Sequence, residues 1–271
     1  MKKTICTWIL IFTSTLVSYS QPSNHVLVFD TDFEYEAFKE KDNFKLLLAI
    51  DPEVDSSDIA KHKKYIEELA ALFQAKRSKW GDEFVLEKLF YKIHRKNLKW
   101  YDNYVTLNQL LEYGEYDCLT GTALYALILD ELKIPYTIQE FDFHVLTIVH
   151  LPSKDIILES TDRDYGFKTE QEDVARHLNQ FLTPGANQSG KRTVIGNHAT
   201  VTHGSEVNLQ ITLRELVGLQ YYNLAIASYN EGLLFESKKY IDKAVVLHPS
   251  ERIIDTRNYI NSTMPMVVVK K

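Results

Sequence analysis

Cysteine is scarce in this chain, which has only Cys6 and Cys118 among its 271 residues. If Cys6 leaves with an N-terminal leader, Cys118 has no partner in the chain. A single thiol excludes an internal disulfide and a metal site built from several cysteines. Exported proteins usually pair their cysteines or lack them, so an unpaired thiol indicates that Cys118 is either buried or used in chemistry.

An excess of basic charge is also missing, because the formal net charge is −6 at pH 7. Nucleic-acid binding requires a basic face, so no nucleic-acid partner is expected. His198 and His203 are too isolated in the sequence to indicate a metal site. We therefore expect neither a cofactor nor a metal.

The sequence contains no apolar run of the roughly 20 residues that cross a membrane. Its first apolar stretch, Trp8–Val17, is shorter and is interrupted by hydroxyl residues. Two lysines precede this stretch, and Ser18-Tyr19-Ser20 follows it with small residues at the positions that a signal peptidase reads. The pattern favours a signal peptide at residues 1–20, cleaved before Gln21, over a membrane anchor or a buried helix. We expect an exported protein, periplasmic or secreted, with no membrane association after cleavage.

The remaining sequence predicts a helical region at 21–80, a larger region at 81–213 and a helical hairpin at 214–262. Asp55-Ser56-Ser57-Asp58 suits the start of a helix that runs to about Ala75. A second helix begins at Gly81-Asp82. Its apolar residues recur at helical spacing, which indicates a core-facing stripe: Val85, Leu86, Leu89, Phe90 and Ile93.

Residues 105–162 predict a helix followed by strands. Asp117 or Thr120 caps the helix, which ends before Pro135. The strands are short, rich in β-branched residues and bounded by turn residues: Tyr136–Glu140, His144–His150 and Asp155–Glu159. Residues 163–213 have no clear periodicity, and the composition of 183–190 indicates a loop.

Cys118 falls at the predicted start of the helix. Free N–H groups and the partial positive charge of a helix N-terminus favour a reactive thiolate and hold an oxyanion. The alternative is a buried, inert cysteine, since free cysteine is among the most buried residue types. Asn108, Gln109 and Tyr116 are chemically able to add an oxyanion donor, although Asn108 and Gln109 suit caps or surface positions better.

A thiolate nucleophile needs a base, and His144 and His150 are the candidates on the following strand. They are six residues apart and share one face of that strand. A two- or four-residue turn within Leu151–Lys154 makes Glu159 the diagonal neighbour of His144, about 7–8 Å away at the backbone. A three- or five-residue turn favours Asp162 instead. The register argument favours Glu159 and keeps Asp162 as the alternative.

The segment from Phe84 to Thr161 resembles the transglutaminase-like superfamily of papain-type cysteine enzymes. The resemblance rests on Tyr116–Leu124 as the nucleophile helix and His144–Ile148 as the histidine strand. Ile157–Thr161 stands where such proteins carry Asp-Pro-Thr, so Glu159 replaces the family's aspartate. Family members often have an aromatic residue after the histidine, and this chain does not.

This resemblance implies an α+β fold with a papain-like core, in which the nucleophile helix packs on a small antiparallel sheet. It implies Cys118 as nucleophile, His144 as general base and Glu159 as orienting acid. Members of such families hydrolyse peptide or amide bonds or transfer acyl groups to amines, and some are inactive. We expect a cysteine hydrolase or acyltransferase with a peptide or protein substrate. The alternative is an inactive binding or scaffold protein.

Residues 218–251 resemble one tetratricopeptide repeat, with Gly232 at the turn and Pro249 at the end. Its small residues, Ala225, Ser237 and Ala244, suit two antiparallel helices in close contact. One repeat cannot bury its own apolar face. The hairpin is therefore expected to pack on the rest of the chain or on a protein partner.

Overall fold

The computed structural model of the protein describes residues 28–182, 192–195, 199–202 and 207–264. The predicted signal peptide at 1–20, the predicted loop at 183–190, His198 and His203 lie outside these residues. Among the described helices, none combines the length and the apolar character that crossing a membrane requires.

The described residues form ten helices and nine strands, labelled in chain order. The helices are α1 (Asp32–Glu40), α2 (Asn43–Leu48), α3 (Ser56–Trp80), α4 (Asp82–Lys96), α5 (Leu107–Tyr113), α6 (Cys118–Leu132), α7 (Gln171–Leu182), α8 (Leu213–Asn230), α9 (Leu234–Leu247) and α10 (Glu251–Thr263). The strands are β1 (Trp100–Tyr101), β2 (Glu115–Tyr116), β3 (Tyr136–Phe141), β4 (Val145–Leu151), β5 (Lys154–Leu158), β6 (Phe167–Lys168), β7 (Arg192–Ile195), β8 (Ala199–Thr202) and β9 (Asn208–Ile211).

Five strands form one antiparallel sheet in the order β6-β5-β4-β3-β9. The chain is thus mixed α+β with a small antiparallel sheet, as predicted. Leu151 pairs with Lys154, so a two-residue turn joins β4 to β5. This is one of the two turn lengths that favour Glu159. Strand β9 was not predicted, and it joins the sheet beside β3 from far along the chain.

The two faces of the sheet are covered by different helices. Alternate residues of β4 point to opposite faces: Val145 and Val149 join the main core with α6, whereas Leu146 and Ile148 join a smaller cluster with α7. Helix α6 is buried on nearly every side. The helix that begins with Cys118 is therefore a central element of the core.

The N-terminal helices follow the local signals of the sequence. Asp55 accepts hydrogen bonds from the backbone of Ser57 and Asp58, and the Asp58 side chain caps it in return. Helix α4 begins directly after Gly81. The five apolar residues of its predicted stripe are completely buried.

The C-terminal segment forms three helices, one more than the predicted hairpin. Ser237 Oγ donates a hydrogen bond to the carbonyl of Ala225 at 2.8 Å, so α8 and α9 meet closely at small residues. Helix α9 ends at Leu247, two residues before Pro249, and α10 follows after Ser250. His248 Nε2 lies 2.8 Å from Glu140 Oε2, and Arg252 also contacts the Glu140 carboxylate. The hairpin thus packs on the sheet through buried ionic contacts, which is one of the two expected arrangements.

Gly121 sets the distance between α6 and the end of β5. A Cβ atom placed on Gly121 would lie 2.6 Å from Ser160 Cβ, which is inside van der Waals contact. Ser160 is completely buried and directly follows Glu159. Only glycine at this position lets the helix that carries Cys118 approach the segment that carries Glu159.

We expect Gly121→Ala to destabilise the protein by about 1–3 kcal/mol, because the added methyl overpacks a buried contact. Ser160 Oγ is buried and has no hydrogen-bond partner, so Ser160→Gly creates space without breaking a bond. The double variant should recover part of the loss, measured by urea unfolding. Additive losses in the double variant would contradict this assignment.

Candidate active site

Cys118 is the first residue of α6, directly after the N-cap residue Asp117. Asp117 Oδ1 accepts a hydrogen bond from the Thr120 backbone at 2.8 Å, and Thr120 Oγ1 accepts one from Asp117 N at 3.0 Å. This reciprocal cap confirms Asp117 as the start of the helix. Burial raises the pKa of Asp117 to about 6, against the lowering effect of the Thr120 bonds. The half-buried thiol therefore lies where a helix presents unpaired N–H groups.

His144 lies between Cys118 and Glu159. Its Nε2 is 2.6 Å from Glu159 Oε2, and the Cys118 side chain is close enough to help raise the pKa of the ring. Because Nε2 is engaged by Glu159, Nδ1 is the nitrogen available to the thiol. The structure brings together the three residues selected from the sequence.

The three groups stabilise a charged imidazole. Burial disfavours the imidazolium, but the hydrogen bonds with Cys118 and Glu159 outweigh it and raise the pKa of His144 to about 10. Burial likewise disfavours the Glu159 carboxylate, yet its bonds with His144 and His177 hold its pKa well below the usual range. At neutral pH, His144 is therefore positive and Glu159 negative.

Glu159 is almost fully enclosed, with only 2% of the residue exposed. Oε1 accepts hydrogen bonds from the Thr161 backbone at 2.9 Å and from Thr161 Oγ1 at 2.6 Å. Oε2 faces His144 and, at 3.4 Å, His177 Nε2. Both carboxylate oxygens are thus held in place, and Glu159 in turn fixes the orientation of the His144 ring.

Helix α7 supplies two residues that sequence reasoning missed. Phe181 stacks on the His144 ring with centroids 5.0 Å apart and planes 11° from parallel. His177 is on the same helix and contacts Glu159. The aromatic contact with His144 thus comes from α7. Helical spacing of Val174, Leu178 and Phe181 was the signal that could have revealed this apolar face.

His150 and Asp162, the alternatives to His144 and Glu159, form hydrogen bonds away from Cys118. His150 is at the far end of β4, where its ring nitrogens contact Asp155 Oδ1 at 2.8 Å and Thr137 Oγ1 at 3.1 Å. Asp162 Oδ1 accepts a hydrogen bond from the Tyr165 backbone at 2.9 Å, within a turn. Asp162 thus shapes the loop that follows Glu159.

The three side chains considered as additional oxyanion donors, Asn108, Gln109 and Tyr116, contact other parts of the protein. Asn108 bonds His62 and Asp51, and Gln109 caps α5 through Thr106. Tyr116 is buried and packs edge-on against the ring of Tyr101, with centroids 5.6 Å apart. Tyr101 lines the cavity beside Cys118. Burial and the nearby Cys118 raise the pKa of Tyr101 to about 12, so its phenol stays protonated as a donor.

A cavity of about 530 Å³ opens beside the thiol. Its walls come from the β1 loop, the β3–β4 connection and the C-terminal helices α8 and α10. The lining residues are Tyr101, Asn103, Tyr104, Asp117, Cys118, Leu119, Phe141, Asp142, Phe143, His144, Val145, Leu219, Tyr222, Asn223, Ile226 and Arg252. Two of the three C-terminal helices therefore help to form the surroundings of the candidate nucleophile.

One group of described residues outside this site has the composition of metal ligands. Asp58, His62 and Glu112 place one ligand atom each within 4.8 Å of one another. Lys61 already pairs with Glu112, and His62 Nε2 contacts Asn108 Oδ1 at 2.9 Å. These side chains already have hydrogen-bond or ionic partners within the protein, so we do not assign a metal site to them.

Comparison of the chain with protein-family models, curated proteins and solved structures finds no match. The functional argument therefore rests on the geometry around Cys118.

We expect Glu159→Gln to move the pKa of His144 from about 10 towards its ordinary 6.5, because the variant loses the negative partner of the imidazolium. An NMR titration of ¹³C-labelled histidine measures this change. Asp162→Asn is the matched control, since it also neutralises one carboxylate and should leave the His144 titration unchanged. A larger shift in Asp162→Asn than in Glu159→Gln would contradict this electrostatic assignment.

Proposed function

We propose that the protein is an exported cysteine acyl-transfer enzyme with a papain-like core, most simply a peptide or amide hydrolase. The observation that supports this best is the close approach of Cys118, His144 and Glu159 at the edge of a cavity. A nucleophile, a base and a group that orients the base are the parts that thiol catalysis needs. A peptide or protein is the proposed substrate.

The first half of the proposed reaction forms a thioester. The reaction starts from the pair in which His144 already holds the proton given up by Cys118, and the thiolate sulfur attacks the substrate carbonyl carbon as the C–O π electrons move to oxygen. The N–H groups at the start of α6 and the phenol of Tyr101 are the candidate donors to this oxyanion. The intermediate then collapses, the C–N bond breaks, and the imidazolium protonates the leaving amine.

The second half returns the enzyme to its starting state. His144 removes a proton from water, and the hydroxide oxygen attacks the thioester carbonyl. The C–S bond breaks, the carboxylic acid leaves, and Cys118 again shares the proton with His144. An amine in place of water gives transamidation by the same steps. Glu159 stays ionised throughout and holds the ring in position.

The proposal predicts that Cys118 reacts with iodoacetamide well below the pH at which a free thiol does, near 8.5. A positive His144 stabilises the thiolate, so His144→Ala should move the midpoint of the rate profile upward and slow alkylation at pH 6 at least tenfold. Rates from pH 4 to 9 are measured by mass spectrometry of the modified Cys118 peptide.

His150→Ala is the matched control for this experiment, because it removes a histidine from the same strand that contacts Asp155. Its profile should follow that of the wild type. Slow alkylation with a midpoint near 8.5 in wild type and both variants would contradict the enzyme assignment. The inactive binding or scaffold function would then replace it.

A further inference from the structure

We infer that the cavity beside Cys118 binds a large, neutral aromatic side chain of the acyl donor, against a wall formed by α8. This inference rests on the proposed function and defines its substrate class. The cavity volume of about 530 Å³ is within the range of small-molecule sites. It exceeds the space that the thiol and imidazole need for the reaction alone.

One apolar wall of the cavity belongs to the C-terminal region. Leu219, Tyr222 and Ile226 recur at helical spacing on α8, so one face of this helix lines the cavity. Tyr104 and Phe143 also line the cavity, and these residues are 43% and 55% exposed. Aromatic side chains from several segments of the lining favour an aromatic guest, which buries a large apolar area and stacks on rings.

Two charged residues of the lining, Asp142 and Arg252, form contacts within the protein itself. Asp142 Oδ1 accepts a hydrogen bond from the Val207 backbone at 2.9 Å. Arg252 contacts the Asp142 carbonyl and the Glu140 carboxylate, and its guanidinium lies 5.2 Å from the Tyr222 ring centroid. An anionic guest finds Arg252 already bound to Glu140, and a cationic guest on the α8 wall would place its charge against apolar side chains, so either guest would lose hydration at a cost.

Neutral amides complete the polar part of the lining. Asn223 follows Tyr222 on α8 and is half-buried, and Asn103 lies on the β1 side. A carboxamide both donates and accepts hydrogen bonds, so it suits the peptide groups that flank a side chain. The lining therefore matches an acyl donor with a neutral backbone and an aromatic side chain.

Two chloromethyl ketones test this inference in the full chain, because they share one electrophile and differ in the side chain. These are the N-tosyl derivatives of phenylalanine and lysine. In each reaction the thiolate sulfur of Cys118 forms a bond to the methylene carbon, the C–Cl bond breaks, and chloride leaves with the electron pair. Iodoacetamide provides the reference rate, since it is too small to use the apolar wall.

We expect the phenylalanine reagent to modify Cys118 at least about tenfold faster than the lysine reagent, the discrimination that an apolar pocket commonly provides. Asn223→Asp places a negative charge on the α8 wall at constant volume. It should narrow this ratio at least about threefold by slowing the aromatic reagent and accelerating the cationic one. Asn258→Asp is the matched control on the exposed surface of α10, and it should leave the ratio unchanged.

The possible failures are distinguishable. Low-pH iodoacetamide reactivity together with equal rates for the two reagents, or a faster lysine reagent, would overturn the subsite and leave the proposed function standing. An unchanged ratio in Asn223→Asp would overturn the role of the α8 wall. Loss of the low-pH iodoacetamide reaction in the wild type would overturn the proposed function and this inference together.

Discussion

The buried hydrogen bond between His144 and Glu159 is the contact around which the other features of the site are arranged. Neither side chain belongs to a strand. His144 directly precedes β4 and Glu159 directly follows β5, so the two residues join the open ends of a hairpin. A charged pair in such a place is costly to desolvate and needs excellent geometry to be worth its burial. Thr161, His177 and the thiol provide that geometry.

This requirement explains the packing on both sides of the pair. On one side, α6 must come close enough for Cys118 to reach the imidazole, and Gly121 against Ser160 permits that approach. On the other side, α7 covers the second face of the sheet and places Phe181 on the ring. His144 thus lies between α6, which approaches closely because Gly121 is small, and α7, which packs through its apolar face. A shift of either helix would alter the distance from sulfur to nitrogen.

Local signals in the sequence were sufficient for the elements that carry these residues. Asp117 at the helix start, the alternating strand pattern and the two-residue turn all act over a few residues, and together they predict the pairing of His144 with Glu159. The contributions of Phe181, His177 and Tyr222 were not predictable in this way. These residues reach the site through tertiary contacts between segments far apart in the chain. A local sequence pattern does not indicate which segment packs on which face of the sheet. Strand β9 was missed for the same reason, since four residues become a strand only because β3 offers a free edge.

The contacts of His248 and Arg252 with Glu140 have a consequence for folding during synthesis of the chain. Glu140 is fully buried near the end of β3, and its partners, His248 and Arg252, lie more than a hundred residues later in the chain. A growing chain that stops before His248 holds this carboxylate without its partners, which disfavours its burial. The part of the cavity lining that Arg252 contributes is missing at that stage as well. The ribosome thus makes the segment with Cys118 well before His248 and Arg252. The site can be completed only after nearly all of the described chain has been made.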